Sequence, residues 1–160
     1  MGKATVTAEP GQATIHIERV FDAPREKVFQ AMTTKEIVQK WWLGPGYTVR
    51  IEELDAREGG RWKFVQTAPD GKVFNFFGTY HEVTAPERVI ETFEFDGLPE
   101  RGHVSMEKME LHELPGGQTK LTVTSTFFSV GDRDGMLQSG MEDGMNGTYD
   151  ALDKVLAEMD

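Results

Sequence analysis

The chain has 160 residues, 38% hydrophobic and 28% charged, which describes a globular domain able to bury a core rather than a disordered polymer. Acidic residues outnumber basic ones 27 to 17, for a formal charge of −10, and that field opposes binding to a nucleic-acid backbone. Cysteine is absent, which removes disulfides, thiolate metal sites and cysteine nucleophiles and fits a cytoplasmic setting, and no apolar run reaches the ~18 residues of a membrane span.

Residues 1–12, MGKATVTAEPGQ, are small and polar and read as a flexible tail or a ragged first strand. ATIHIERVF alternates apolar and polar residues, which predicts a strand over 13–21. Asp22-Ala23-Pro24 then opens a helix, with Pro24 in the first turn, Glu26 at the positive dipole end, and Val28, Phe29, Ala31 and Met32 on the buried side. A second short helix follows. Thr33 and Glu36 have capping-box spacing, Ile37, Val38 and Trp41 lie on adjacent rows, and Gly44-Pro45-Gly46 ends it.

Six strands come next: YTVRIEEL (47–54), RWKFVQ (61–66), VFNFFGTYHEV (73–83), RVIETFEF (88–95), HVSMEKMEL (103–111) and TKLTVTSTFF (119–128). The turns between them, EGG, PDG, TAPE, DGLPERG and PGGQ, are short, so the strands form an antiparallel meander. A last helix is predicted over about 134–159, where Met141, Met145, Thr148, Leu152 and Met159 recur at three- and four-residue spacing. The sheet must bury one face, and only this helix is long enough to cover it. The expected fold is one α+β domain over 1–160, a curved antiparallel sheet wrapped around a long C-terminal helix, with two short helices after the first strand.

Alternation sorts the sheet's side chains into faces. Trp62 shares a face with Phe64, Phe93 with Phe95, and Phe74 and Phe76 with Gly78 and Tyr80, while Leu121, Val123, Ser125 and Phe127 oppose the threonines of the last strand. Gly140, Gly144 and Gly147 fall in a single predicted helix, each costing up to about 1 kcal/mol against alanine, beside the adaptable Met136, Met141 and Met145. An aromatic wall facing a Gly/Met helix is the make-up of a ligand pocket. The same pattern also suits a plain core, and the glycines also suit a helix that begins only near Asn146. Trp41 and Trp42 diverge by about 100° on a helix. Trp41 is expected to point to the inner end of the cavity, and Trp42 to pack near the rim or against the neighbouring helix.

Catalytic and metal motifs are missing. The four histidines, His16, His81, His103 and His112, show no paired ligand spacing. GDRDG at 131–135 resembles a calcium loop, yet the EF-hand register puts Val130 and Met141 where carboxylates are needed. No metal and no cofactor are expected. Asp150 and Asp153 read as a solvated helix face. Glu91 and Glu107 read as exposed strand carboxylates, with an acid or base role only if they faced a dry pocket; Tyr80, His81 and Tyr149 are similar polar candidates.

FDAPREKVFQAMT, KWWLGP, REGGRWKF, FGTYHEVTAPERVIETFEF and GMEDGMNGTYDALDKVLAEM, in this order over about residues 14–158, resemble the START-like (SRPBCC) superfamily. Within it they are most similar to the branch related to the C-terminal domain of the activator of the heat-shock-protein-90 ATPase. The resemblance implies a helix-grip fold whose cavity, between sheet and C-terminal helix, holds apolar molecules. It implies lining by Trp41, Trp62, Phe64, Phe76, Tyr80, Phe93, Phe95, Phe127, Met141, Met145 and Tyr149, with the loop 96–102 and the turn at 44–46 at the entrance. The expected function is binding of a small apolar or amphipathic molecule rather than catalysis. The alternatives are a cyclase- or hydrolase-type enzyme using the same cavity, and a module acting on a chaperone.

Overall fold

A computed structural model describes residues 2–42 and 46–159. Eight strands form one antiparallel, curved and unclosed sheet: β1 (Thr5–Thr7), β2 (Thr14–Phe21), β3 (Thr48–Leu54), β4 (Arg61–Thr67), β5 (Val73–Thr84), β6 (Arg88–Phe95), β7 (Val104–Leu114) and β8 (Gln118–Thr126). Their spatial order is β1-β2-β8-β7-β6-β5-β4-β3. The meander of β3 to β8 is as expected, and β2 joins its far end by pairing with β8 from Thr14↔Thr126 to Phe21↔Thr119. Helices α1 (Arg25–Thr33) and α2 (Lys35–Trp41) carry the chain from β2 back to β3 at the opposite edge. The α+β helix-grip architecture expected from the sequence is the one observed.

Three local features differ from expectation. Residues 5–7, within the expected tail, form β1 against β2, with Thr5 opposite Glu18. The backbone N–H of Ala4 also donates to the Asn146 side chain at 3.0 Å. The T-x-x-E capping box does not form. Thr33 stays inside α1, where its hydroxyl donates back to the Phe29 carbonyl at 2.7 Å, and the extended Thr34 separates the two helices. The C-terminal helix is two helices, α3 (Val130–Gln138) and α4 (Met141–Glu158). Gly140 breaks them with φ of 83°, a left-handed conformation that glycine adopts without a Cβ penalty. α3 starts at Ser129, whose hydroxyl accepts from the Asp132 N–H at 3.0 Å. The Gly44 and Pro45 of the expected helix stop lie outside the described residues.

The apolar residues close one part of the molecule. Ile15 and Phe21 of β2, Leu121 of β8, Val28 of α1, Val38 of α2 and Leu152 of α4 are all but inaccessible. In α4 the buried positions are Leu152, Val155 and Leu156, all in the second half of the helix. Met141, Met145 and Tyr149, in the first half, pack against this core but keep part of their surface accessible. The fully buried positions of α4 therefore belong to its C-terminal half alone.

Candidate functional site

The middle of the sheet presents an aromatic wall on its inner face. Trp62 lies opposite Gly78 in the β4–β5 ladder, and its ring reaches across to Phe93, 5.8 Å between centroids. Gly78 leaves that route open: a Cβ there would overlap the Trp62 indole nitrogen and the Thr92 carbonyl. Phe76 is stacked on Phe95 at 5.0 Å and lies 5.8 Å from Phe93. Trp62 and Phe64 are buried, whereas Phe76, Phe93 and Phe95 are only half-buried despite facing inward.

The two tryptophans divide their work differently from the expectation. Trp41 is 5% exposed, and its indole N–H donates to the Ala31 carbonyl at 3.0 Å, which ties α2 to α1. Trp42 is the ring that meets the sheet's aromatics, edge-on to Phe64 at 4.8 Å and to Phe76 at 5.1 Å. It is the C-cap of α2, with ψ of 66°, so its side chain leaves the helical rows on which the expectation rested.

Beside this wall runs a polar row that the sequence reading placed on the surface. The strand registers put Tyr80 opposite Glu91, Glu91 opposite Glu107, and Glu107 opposite Ser125. Glu91 stands two residues before Phe93 and four before Phe95, so it shares their face. A bulge in β5 directly after Tyr80 shifts the register of the chain beyond the row. The turn before β4 is pinned to the same residue, with the Tyr80 N–H donating to Gly60 at 2.8 Å and Gly59 donating to the Tyr80 carbonyl at 3.0 Å.

Both carboxyls are strongly desolvated. Burial, and then the charge of Glu107, push Glu91 up to about 8. Burial pushes Glu107 up to about 7 against the pull of hydrogen bonds from Ser125 and Ser105. The Ser125 hydroxyl donates to Glu107 Oε1 at 2.9 Å, while Oε2 is buried without a partner, as is the Trp62 indole N–H. Tyr149 of α4 is packed edge-on against Phe21 at 5.6 Å, and burial and the Glu107 carboxyl raise its hydroxyl above the usual phenol range. Tyr80 is raised for the same reasons, by burial and by Glu91. Two acidic groups, two phenols, two serine hydroxyls and one indole N–H thus border the aromatic wall. The expected exposure of Glu91 and Glu107 is corrected: alternation set both on the inner face, and the same count that grouped Phe93 with Phe95 would have found Glu91.

Of the two aspartates read as a solvated helix face, Asp150 is exposed as expected, with 69% of its side chain accessible, whereas Asp153, at 20%, is turned towards the sheet. Arg19 of β2 points inward with 1% of its side chain exposed, and its guanidinium donates to Asp150 at 3.0 Å and pairs with Asp153 at 2.8 Å. It also lies over the Phe21 ring, 4.6 Å from the centroid. No pattern flagged this arginine, because one charged residue at an inward strand position has no periodic signature.

The remaining expected residues are Phe127, Met141 and Met145, each half-buried against the core. The β6–β7 loop is braced at both ends. Arg101 pairs with Glu94 at 2.8 Å, Asn75 with Asp96 at 2.9 Å, and His103 with Asp132 of α3 at 3.1 Å. Asp132 holds the His103 imidazole above its ordinary value. Among the described residues no group of three or more acidic or histidine side chains is placed to hold a metal.

A family model described as "Activator of Hsp90 ATPase homolog 1-like protein" matches residues 22–157. A curated relative from Mus musculus, "Activator of 90 kDa heat shock protein ATPase homolog 2", is 29% identical over 108 residues, 67% of this chain. The match spans only 28% of that relative's length. Among solved structures, a Rhodobacter sphaeroides protein superposes with a TM-score of 0.88 at 24% identity, covering 99% of this chain and all of the other. A Staphylococcus epidermidis protein solved by NMR superposes with a TM-score of 0.81 at 27% identity, covering 95% and 94% of the two chains.

Proposed function

The chain belongs to the Activator of Hsp90 ATPase homolog 1-like family, and from that premise and the inner-face geometry we propose that it binds a small amphipathic molecule between the sheet and α4. One observation carries the reading: inward-facing Phe76, Phe93 and Phe95 are half-buried, and beside them stand two carboxyls stripped of water. Glu91 is deep enough to be strongly desolvated, yet part of its surface stays accessible. Both statements hold together for a group that lines a hollow. The ligand's apolar body lies on Trp42, Phe64, Phe76, Phe93 and Phe95, with Met141 and Met145 adapting to its shape, and its polar end reaches Glu91, Glu107, Tyr80 and Tyr149. The surface depressions of about 270 and 390 Å³ on the sheet's outer side, lined by residues such as Val49 and Thr67 or Phe77 and Thr92, face away from these groups and play no part.

Uptake of an environment-sensitive apolar dye tests this, together with native mass spectrometry for co-purifying molecules. Dye fluorescence is expected to rise with the wild-type chain and to fall in Trp42→Ala and Phe76→Ala. A folded wild-type chain that leaves the dye dark refutes the reading.

A second reading rests on the carboxyl pair itself. Acids ionising near neutral pH beside a bound molecule can exchange protons with it, which is the equipment of acid–base catalysis on a carbonyl or ester. It predicts turnover that Glu91→Gln or Glu107→Gln abolishes without loss of binding. The family and the name of the mouse relative also support contact with a heat-shock chaperone, for which a change in chaperone ATPase rate on adding this chain is the test.

A further inference from the structure

We infer that the polar end of the groove selects an amphiphile whose head group is a single ammonium, held between the Glu91 and Glu107 carboxyls. The inference rests on the groove reading above and adds the chemical class of the ligand. The two carboxyls are ladder neighbours on the inner face, opposite one another in the β6–β7 register. Such neighbours lie about 5 Å apart at their Cβ atoms, within reach of one small cation. Glu107 offers Oε2, a buried acceptor with no hydrogen-bond partner among the described residues. No hydrogen bond from a described residue reaches the Glu91 carboxyl either, although the row around it is otherwise well supplied.

Trp62, opposite Gly78 on the inner face, is 4% exposed and its indole N–H has no partner among the described residues. Native proteins seldom leave such a donor unpaired. Phe93 shares the inner face with Glu91, Tyr80 stands opposite Glu91 in the β5–β6 register, and aromatic faces attract a desolvated cation. The one cation buried nearby does not compete, because the Arg19 guanidinium is committed to Asp150 and Asp153.

The groups facing the pair are Tyr80 from β5, Ser105 and Ser125 from β7 and β8, and Tyr149 from α4, with Arg19 of β2 acting on Tyr149. None of the four that face it carries a positive charge, so the pair holds protons near neutral pH and gives them to solvent when an ammonium enters. Affinity for the cation therefore rises with pH across the range in which the pair ionises, while affinity for a neutral analogue does not.

The test uses 1-naphthylmethylamine and 1-naphthylmethanol, which share one aromatic body and differ in the head group. At pH 8 calorimetry is expected to give about tenfold tighter binding of the amine, equivalent to one good charge-assisted contact. The preference shrinks at pH 5.5. Glu91→Gln and Glu107→Gln, which keep shape and hydrogen-bonding capacity, each lower it to about threefold or less, while Trp42→Ala weakens both probes alike. Equal affinity for the two probes, or a preference untouched by both glutamine variants, overturns the inference and leaves the groove reading standing. Failure of both probes to bind a folded wild-type chain overturns the inference and the groove reading together.

Discussion

A desolvated acid records its own cost in the pH dependence of stability, and Glu91 is the place to read it. Its carboxyl ionises near 4.5 in the unfolded chain and at about 8 in the fold. Because the folded value is raised, the favourable contribution is fully present below about 4.5 and is lost as pH rises towards 8. Each pH unit in that window costs about 1.4 kcal/mol, so the ceiling at pH 7 is about 3 kcal/mol. Residual solvent access and relaxation reduce this to about 1–2 kcal/mol. Glu91→Gln keeps the shape of the protonated acid and removes the titration. For a chain of this length 1 kcal/mol moves the melting temperature by about 3 °C. The variant is therefore expected to melt with the wild type at pH 4.5 and about 3–6 °C above it at pH 7. Parallel thermal scans by circular dichroism between pH 4.5 and 8.5 check this, and taking the difference removes the titrating groups that do not interact with Glu91. A difference that is flat with pH, or a variant that melts lower at pH 8, refutes the placement of Glu91 in a dry interior.

Trp41→Ala is expected to cost about 3–5 kcal/mol, since it empties a core site and strands the Ala31 carbonyl, whereas Trp42→Ala costs about 1–2 kcal/mol and chiefly lowers dye uptake. Urea melts of the two variants give the comparison directly. Gly78→Ala is expected to cost at least about 2 kcal/mol, because the Thr92 carbonyl is backbone and cannot give way, and the Trp62 ring must leave Phe93; tryptophan fluorescence reports the displacement. Asp153→Ala is expected to destabilise more than Asp150→Ala, since the side chain of Asp153 is 20% exposed and that of Asp150 is 69% exposed, and only the more buried partner offsets the Arg19 charge effectively.

The fold was legible because its signals are periodic. Alternation over β4 to β8, glycine turns between them and the three-to-four spacing of the last helix each repeat several times, so no single residue decides the outcome. Local details that depend on one atom were not legible. The Thr33 hydroxyl chose a carbonyl four residues back over the next helix's N–H, and Gly140 turned left-handed, splitting one expected helix into two. Trp42 escaped helical counting by sitting at the cap, where the backbone leaves the helix. In the site, the aromatic wall could be read from parity, because large rings recur on alternate positions of β4, β5 and β6. The carboxyls beside it could be read from the same parity, but the low general odds of a buried glutamate argued the other way. Arg19 had neither pattern nor neighbour to reveal it. Its partners lie 131 and 134 positions away in sequence, and only the packing of α4 on β2 brings them together.

Two buried ionic features of the interior, Arg19 and the Glu91–Glu107 pair, differ in how their charge is compensated. Arg19 is enclosed with its charge compensated, by two carboxylates, a carbonyl and an aromatic face, although its Nε has no partner among the described residues, and it fastens α4 to β2. Glu91 and Glu107 are the reverse: two acids set side by side, with one oxygen unpartnered and no cation paired with either among the described residues. A fold that needed only to cover that part of its sheet would do so better with two apolar residues, since uncompensated buried acids lower stability. That cost is what the proposed ligand would offset on binding. The prediction that glutamine at position 91 stabilises the empty protein and the prediction that it weakens ammonium binding are two consequences of one arrangement. They must hold together: a variant that gains stability at pH 8 yet keeps its full preference for the amine would locate the cation elsewhere.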